Sequence, residues 1–438
     1  MRARGTASSG RRGVGESNLP YGGCGPVESS AGGHTQERVR EVEVIVAPRL
    51  LLAGELKGPG WVQVDGAIII ASGWGEPPQA ATIELPRGAL TPGLIDLQLN
   101  GAFGHDLATT DLAGWQEIVR RLPGTGVTAF VPTFITAPLD ELNGSLRRYQ
   151  ELRADLDAEA GARTLGVHCE GPFLASGRHG AHRQDLLCDP TTERVEALLA
   201  SAEGQLAYLT LAPERPGAME AIDRLVRAGV RVAVGHSDAT DAQVIAAIDG
   251  GASLVTHLFN AQRPLHHRDP GVVGAALADP RVTVGLIVDL HHVAPTAVRV
   301  AFAAAGERIA LVTDAIAAMG MPPGVHELGG APTTVRAGAP PVRDDGTLAG
   351  SVLRLDDAVA HAVRSGIDPA AALTSATQVP AEALGRADLG RLTPGARADL
   401  VWLDDDWRSA ATWVDGRLVH VDEQRATDVR GLALAERP

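Results

Sequence analysis

Residues 164–171 read TLGVHCEG, a short apolar run that ends in a charged residue, Glu170. The same pattern, an apolar β-branched run followed by His or Asp, occurs three more times, in RVAVGHS (231–237), SLVTHLFN (253–260) and ALVTDA (310–315). The residues that follow these runs are His236, His257 and Asp314. In a barrel of parallel strands the carboxyl ends of the strands share one face, where active sites are built. The pattern predicts a metal site at the strand tips of a barrel.

Apolar runs of strand length recur through the middle of the chain, and most are separated by segments with helical periodicity. They cover residues 94–99, 127–134, 164–169, 207–211, 230–235, 253–258, 282–288 and 308–313. These runs are too apolar to be half exposed, which favours a closed (β/α)8 TIM-type barrel over an open sheet. A dinucleotide-binding fold is disfavoured because no GxGxxG motif follows the first run.

Shorter β-type segments flank the predicted barrel, which we assign to residues 89–385. Apolar or alternating runs separated by Gly and Pro fill residues 42–88, and similar runs return at 386–425. We therefore predict a small β-sandwich domain built from both chain ends. Residues 1–41 are rich in Gly, Ser and Arg, so we expect a disordered tail there, and a second tail over 426–438.

Composition and charge exclude several classes of protein. The chain has 438 residues, 45% of them hydrophobic, and a formal net charge of −14. Nucleic acids and anionic membranes favour a basic surface, so we expect neither as a partner. No apolar stretch reaches the ~18 to 20 residues of a membrane span. Three cysteines in so long a chain suit free thiols, and we expect a cytoplasmic enzyme.

Glu170, His236 and His257 provide two imidazoles and one carboxylate, a set that holds zinc or a similar divalent ion and leaves a position open for water. A carboxylate beside such a water acts as a general base, which is the role we predict for Asp314. Structural roles are the alternatives: a single His at a strand end is often only hydrogen-bonded, and Asp is a favoured helix cap.

The first strand indicates how many metal ions to expect. Barrel metallohydrolases often place an HxH pair there and bridge two ions with a carboxylated lysine, but this chain has Gln98 and Asn100 in DLQLNG. Amides are poorer ligands than imidazole for zinc-like ions. The only lysine is Lys57, outside the predicted barrel strands, so no lysine bridge is available. We predict one divalent metal ion per subunit, zinc first, with manganese, cobalt or iron as alternatives.

In combination, these and the neighbouring motifs resemble the N-acetylglucosamine-6-phosphate deacetylases of the amidohydrolase superfamily, from about residue 42 to residue 420. The resemblance lies in PGLIDLQLNG, HCEGPFL, GHSDAT, THLFNAQRPLHHRDPG, VDLHHV, LVTDA, LAGS and GRLTPGARADLVWLD. It implies that Glu170, His236 and His257 hold the metal and that Asp314 is the catalytic acid/base. The QxN form of the first strand also occurs in members of this family that use one metal.

The same resemblance implies further roles. His182 matches a histidine that polarises the acetamide carbonyl. The residues that match the sugar-phosphate site are Asn260, Ala261, Arg268 and His292. Part of that site comes from the neighbouring subunit of a homodimer. His292 is preferred to His291 because it lies three residues after Asp289. Arg268 as a surface charge and His292 as a packing residue are the alternatives, and His105 has no assigned role.

The implied reaction is hydrolysis of the N-acetyl group of N-acetylglucosamine 6-phosphate to glucosamine 6-phosphate and acetate. A metal-bound hydroxide is the expected nucleophile, with Asp314 as general base and then acid. A second hypothesis keeps the chemistry but takes N-acetylgalactosamine 6-phosphate or another small N-acyl compound. A third, a barrel without catalysis that serves as a binding module, is disfavoured because all four strand-tip residues are intact.

Overall fold

The computed structural model describes residues 42–427 together with Val429 and Leu432. The predicted tail over residues 1–41 lies outside this part of the chain, as do Cys24 and most of 428–438. None of the described helices combines the length and hydropathy of a transmembrane span.

The first strands of the described region belong to two separate sheets. They are β1 (Glu43–Ala47), β2 (Leu50–Leu52), β3 (Glu55–Lys57), β4 (Gly60–Asp65), β5 (Ile68–Trp74), β6 (Ile83–Glu84) and β7 (Ala89–Pro92). One sheet has the strand order β5-β4-β1-β6, and β2, β3 and β7 enter the second. Because β7 pairs with small-domain strands, the chain enters the barrel at Leu94, a few residues beyond the predicted start at residue 89.

The next strands form the barrel and its immediate extensions. They are β8 (Leu94–Leu99), β9 (Gly101–Ala102), β10 (His105–Asp106), β11 (Val127–Ile135), β12 (Arg163–Thr164), β13 (Val167–Glu170), β14 (Leu206–Leu211), β15 (Arg231–Val234), β16 (Leu254–Val255), β17 (Thr283–Ile287) and β18 (Ile309–Val312). Eight of them pair in parallel in the order β8-β11-β13-β14-β15-β16-β17-β18, which confirms the predicted barrel. The predicted run 164–169 is interrupted at Gly166, whose φ of 88° is outside the strand range.

Helices surround the barrel strands. They are α1 (Leu112–Arg121), α2 (Leu139–Ala158), α3 (Thr192–Ala202), α4 (Ala218–Arg227), α5 (Asp241–Asp249), α6 (Gly271–Ala278), α7 (Pro295–Ala305), α8 (Leu355–Arg364), α9 (Pro369–Thr374) and α10 (Gln378–Ala383). The start of α5 is a capping box in which Thr240 and Gln243 satisfy each other's backbone N–H groups. This cap fixes where the chain turns back from the strand tip that precedes it.

The last strands complete the small domain. They are β21 (Leu400–Leu403), β22 (Ser409–Val414) and β23 (Arg417–Val421). A separate hairpin of β19 (Gly324–Leu328) and β20 (Ala331–Val335) lies earlier in the chain, between β18 and α8. The second sheet has the order β23-β22-β21-β7-β2-β3, so the small β domain is built from both chain ends as predicted. Ala426, Val429 and Leu432, in the predicted C-terminal tail, pack against its core.

The barrel closes between its first and last strands. Leu99 and Ala315 form a parallel bridge, and Asp314 N donates to the Gln98 carbonyl at 2.9 Å. The buried carboxylate of Asp96 spans the same seam: it accepts from Gln98 N at 3.1 Å, Thr313 N at 3.2 Å and Thr313 Oγ1 at 2.5 Å. Burial raises the pKa of Asp96 to about 7, although these hydrogen bonds act to lower it.

Asp96→Ala should lower the stability of the protein by about 1–3 kcal/mol for each buried N–H group that it leaves unpaired. Asp96→Asn keeps an acceptor for both N–H groups and should cost less. The pKa of Asp96 is about 7 in the folded state and about 4 in the unfolded chain, so protonation of Asp96 favours the folded state. This contribution to stability is fully present below about pH 4 and is lost as the pH rises through about 7. Between about pH 5 and about pH 8 the wild type should therefore lose stability that Asp96→Asn keeps. The thermal midpoint of Asp96→Asn should rise relative to that of the wild type over this range. An unchanged difference between the two midpoints would contradict this account of Asp96.

Candidate active site

Four polar side chains meet at the carboxyl-terminal rim of the barrel. Glu170 is the last residue of β13, while His236, His257 and Asp314 each follow the end of a strand by two residues. Because the strands are parallel, all four positions lie on the same face. Each side chain is nearly buried, Asp314 at 9% exposure being the most accessible. The fold thus brings together the four residues on which the sequence interpretation rests.

Three of these residues have an unusual backbone conformation. The φ angles of His236, His257 and Asp314 are 48°, 25° and 50°. Non-glycine residues rarely adopt positive φ, and each such residue costs about 1–3 kcal/mol that the surrounding structure must offset. The strained turn directs each side chain across the rim toward its neighbours.

The side chains of Glu170, His236 and His257 form a compact cluster. Glu170 Oε1 lies 3.1 Å from His236 Nε2 and 2.8 Å from His257 Nε2, and the two Nε2 atoms are 3.2 Å apart. Of the residues described, these are the only three His, Cys, Asp or Glu side chains whose ligand atoms converge in this way. Two imidazole nitrogens and a carboxylate oxygen are a suitable donor set for one zinc-like divalent ion.

The hydrogen bonds around the cluster are consistent with metal binding. His236 Nδ1 lies 2.9 Å from the carbonyl oxygen of Arg178, which only accepts, so the ring proton is on Nδ1 and the Nε2 lone pair faces the cluster. Burial acts to raise the pKa of Glu170, but the adjacent His236 and His257 side chains lower it well below its ordinary value. The carboxylate is therefore ionised, as a metal ligand must be.

Gln98 and Asn100 act as donors to the carboxylates at this rim. Gln98 Nε2 lies 3.1 Å from both Glu170 Oε2 and Asp314 Oδ1, and Asn100 Nδ2 lies 2.7 Å from Asp314 Oδ1. Carboxylate oxygens accept hydrogen bonds, so the amide NH2 groups face them. The two amides are engaged in positioning Glu170 and Asp314, which is consistent with one metal ion rather than two.

The carboxyl group of Asp314 has a pKa shifted toward neutrality. Burial and the nearby negative charge of Glu170 raise its pKa to about 6, against the lowering effects of His257 and of the hydrogen bond from Asn100. The two neighbouring carboxylates thus have pKa values shifted in opposite directions. Such a difference separates a permanently ionised ligand from a group that exchanges protons.

His182 stands beside the cluster with a defined tautomer. The backbone N–H of Thr136 donates to its Nδ1 at 3.4 Å, and Thr136 Oγ1 lies 2.9 Å from the same nitrogen. The proton is therefore on Nε2, which lies 4.0 Å from Glu170 Oε2 on the pocket side. Burial and the neighbouring His236 lower the pKa of His182 to about 3, so its ring is a neutral donor at pH 7.

A pocket of about 300 Å³ opens above this cluster. Of the residues predicted to bind the sugar phosphate, Asn260, Ala261 and His292 line it. His292 is held by Asp289, whose Oδ2 lies 2.7 Å from its Nδ1. The neighbouring His291 is exposed and does not line the pocket.

The remaining residues from the sequence motifs lie elsewhere. Arg268 is on an exposed loop and does not line the pocket of its own chain; its nearest polar partner is His267, at 3.0 Å. His105 lies 3.2 Å from Glu117 and 3.3 Å from Thr110, away from the metal cluster. Its surroundings are those of a structural residue near the start of α1.

Other residues around the site escaped the sequence interpretation. His168 is fully buried two residues before Glu170, where it hydrogen-bonds Thr133 at 3.1 Å and Thr210 at 2.7 Å and stacks on Tyr208. The alternation of side chains along a strand places it on the same inward side as Glu170, which is the one signal that the sequence carried. The sequence has no signal for Thr136 or for the Arg178 carbonyl, because their contacts join segments that are far apart in the chain.

Comparisons with known proteins agree with this geometry. The model of the amidohydrolase family matches residues 89–419. An N-acetylglucosamine-6-phosphate deacetylase of Vibrio furnissii is 37% identical over 85% of this chain and 94% of its own length. An N-acetylgalactosamine-6-phosphate deacetylase of Escherichia coli O157:H7 is 36% identical over 85% and 98%, respectively. The solved structure of an N-acetyl-D-glucosamine-6-phosphate deacetylase variant from Mycobacterium smegmatis, in complex with N-acetyl-D-glucosamine-6-phosphate, matches with a TM-score of 0.82 and 37% identity over 87% of this chain and 100% of that chain.

Glu170→Gln should weaken metal binding without disturbing the fold. Loss of a residue that only supports a metal ligand typically costs about 10- to 100-fold in affinity, so loss of the ligand charge should cost about 100-fold or more. Metal content per chain after dialysis against a buffered divalent ion measures the effect. His105→Gln is the matched control and should retain the wild-type content; a full complement of metal in Glu170→Gln would contradict the assignment.

Proposed function

Because the chain belongs to the amidohydrolase family and is a metal-dependent hydrolase, we propose that it removes the N-acetyl group of N-acetylglucosamine 6-phosphate. The products are glucosamine 6-phosphate and acetate. The observation that carries this proposal is the buried Glu170–His236–His257 cluster with Asp314 beside it, in a chain whose full-length relatives are deacetylases of this kind. N-acetylgalactosamine 6-phosphate is the second candidate substrate, since a relative named for it is 36% identical.

We propose that Glu170, His236 and His257 hold one divalent ion, with zinc the first candidate and manganese, cobalt and iron the others. Imidazole and carboxylate suit all of these ions, and the distances among the three side chains support a common centre. Bound there, the ion supplies Lewis-acid activation of water and of the amide carbonyl. Gln98 and Asn100 hold the carboxylates around it in place.

Asp314 is the proposed proton carrier. Its carboxylate takes a proton from the attacking water and delivers it to the sugar nitrogen as the C–N bond breaks, because an amine is too basic to leave unprotonated. The raised pKa of about 6 supports both steps, since the group is ionised at neutral pH and is not so weakly basic that it cannot hold a proton. The hydrogen bond from Asn100 keeps Oδ1 fixed during the exchange.

His182 is the proposed donor to the acyl oxygen. Thr136 occupies Nδ1, so the N–H at Nε2 is available to a carbonyl in the pocket. A hydrogen-bond donor aimed at an oxygen that becomes negative in the transition state stabilises it more than the ground state. A neutral imidazole suits this position beside a metal cluster because it adds no positive charge.

For the phosphate we propose Asn260, Ala261 and His292 from the same chain and Arg268 from the neighbouring subunit of a homodimer. The exposed position of Arg268 supports a role across an interface, and its planar fork pairs well with phosphate oxygens. We also propose a cytoplasmic location, which the free thiols of Cys169 and Cys188 support.

Asp314→Asn should keep the metal and lose the reaction. The amide preserves the shape of the side chain but does not carry a proton from water to the leaving amine, so kcat should fall by about 10²- to 10⁴-fold. A deacetylation assay on N-acetylglucosamine 6-phosphate, with metal content measured on the same preparation, tests this. Wild-type turnover by the variant would exclude the proposed role of Asp314.

Substrate choice is tested by comparing kcat/KM for both 6-phosphate epimers and their unphosphorylated forms. We expect the glucosamine epimer to be preferred, and removal of the phosphate to cost about 10- to 100-fold, the value of one or two charge-assisted hydrogen bonds. Arg268→Ala should reduce the preference for phosphate without changing the metal content. Equal activity on phosphorylated and free sugars would argue for another N-acyl substrate.

A further inference from the structure

One wall of the pocket comes from the segment between β18 and α8. We call residues 324–350 the pocket wall: it contains the β19–β20 hairpin and a turn that pairs with it through Thr334 N to Val342 O at 2.8 Å and Val342 N to Thr334 O at 3.0 Å. Leu328 and Leu348, one on each part, line the pocket. The wall therefore lines the same pocket as Glu170, His236, His257 and Asp314.

Arg343 joins the two parts of the pocket wall to a third segment. Its Nη1 donates to the carbonyls of Ala331 at 2.6 Å and Pro332 at 3.2 Å and lies 3.1 Å from Thr333 Oγ1. Its Nη2 donates to the carbonyl of Leu328 at 2.9 Å and to that of Ala181 at 3.2 Å. Ala181 immediately precedes His182, so one guanidinium connects the wall to the loop that carries the proposed acyl-oxygen donor.

These contacts differ from those of most arginines in the described part of the chain. Among the described residues no carboxylate lies within ion-pair distance of Arg343, and every partner of this half-buried cation is a neutral oxygen. Removing a cation from water is costly unless its donors are satisfied. Here the hydrogen bonds of the Arg343 guanidinium offset the cost of burying its charge. Because the guanidinium is planar and rigid, these bonds also set the relative positions of the segments that it bridges.

An apolar contact joins the same two regions. Leu328 belongs to a small buried cluster against which Ile135 and Ala181 pack. Next to it, a Cβ atom on Gly329 would lie only 2.7 Å from Ile135 Cδ1, so the hairpin approaches this strand end closely. Ile135 precedes Thr136, the residue that hydrogen-bonds His182 Nδ1. The wall thus contacts Ala181 and Ile135, the residues that directly precede His182 and its partner Thr136.

We propose that Arg343 is a positioning residue that couples the pocket wall to the His182 loop and thereby sets where His182 meets the substrate. The inference rests on the proposed function, because it requires His182 to act on a bound acyl group. A displacement of about 1 Å at a reacting group can cost 10²-fold in rate. Loss of the fork should therefore lower kcat by about 10- to 100-fold with little change in metal content.

The primary test compares Arg343→Met with Arg308→Met in the full-length, metal-loaded protein. Arg308 is a matched control because it is also half-buried and its partners are also neutral oxygens, the carbonyls of Ala276, Leu277 and Val282. It directly precedes β18 and so lies at the end of this strand that is farther from Asp314. Both variants should lower the thermal midpoint, but only Arg343→Met should lower kcat. Arg343→Lys keeps the charge and removes the planar fork, so it should reproduce the loss of kcat even if the Met variant folds poorly.

A double-mutant cycle with His182→Asn distinguishes positioning from general destabilisation. If Arg343 acts through His182, adding Arg343→Met to His182→Asn should lower kcat no further. Wild-type kcat in both Arg343 variants, or a loss that multiplies in full with that of His182→Asn, would overturn the inference. Failure of the wild-type protein to deacetylate either 6-phosphate sugar would instead count against the proposed function.

Discussion

The seam between the first and last barrel strands is the contact on which the rest of the site depends. Backbone hydrogen bonds and the buried carboxylate of Asp96 fix the register of β8 against the end of β18. A slip of one residue in that register would turn the side chains of the strand to the other face. With the register held, Asp314 lies beside Gln98 and Asn100, and the amide of Gln98 links it to Glu170.

Two carboxylates of similar intrinsic acidity at the barrel rim differ in their pKa values. Glu170 is surrounded by imidazoles and is kept ionised, whereas burial and the charge of Glu170 itself raise the pKa of Asp314. Gln98 donates to both, so the two groups are held at a fixed separation as well as at different proton affinities. A hydrolase that leaves one carboxylate on a metal and uses the other for protons needs this asymmetry.

The pocket has a floor formed by the barrel and a wall that lies outside the barrel. Its floor consists of strand ends with positive φ angles, which only a closely packed barrel maintains. Its wall is a hairpin and turn outside the barrel, held by Arg343 and by the apolar contact of Leu328 with Ile135 and Ala181. The floor carries the residues of the proposed reaction at the carboxyl ends of the strands, and the wall adds Leu328 and Leu348 to the lining of the pocket.

The sequence by itself determined the barrel, the small β domain and the four strand-tip residues, because buried parallel strands leave continuous apolar runs and their ends share one face. It also indicated the amides at Gln98 and Asn100, although not that their NH2 groups support the two carboxylates. Only the tertiary structure decided which carbonyl orients His236, which residue sets the tautomer of His182, and that Arg343 reaches Ala181 across 162 positions of chain. Periodicity describes which side of an element a residue faces, whereas these contacts depend on how distant segments pack together.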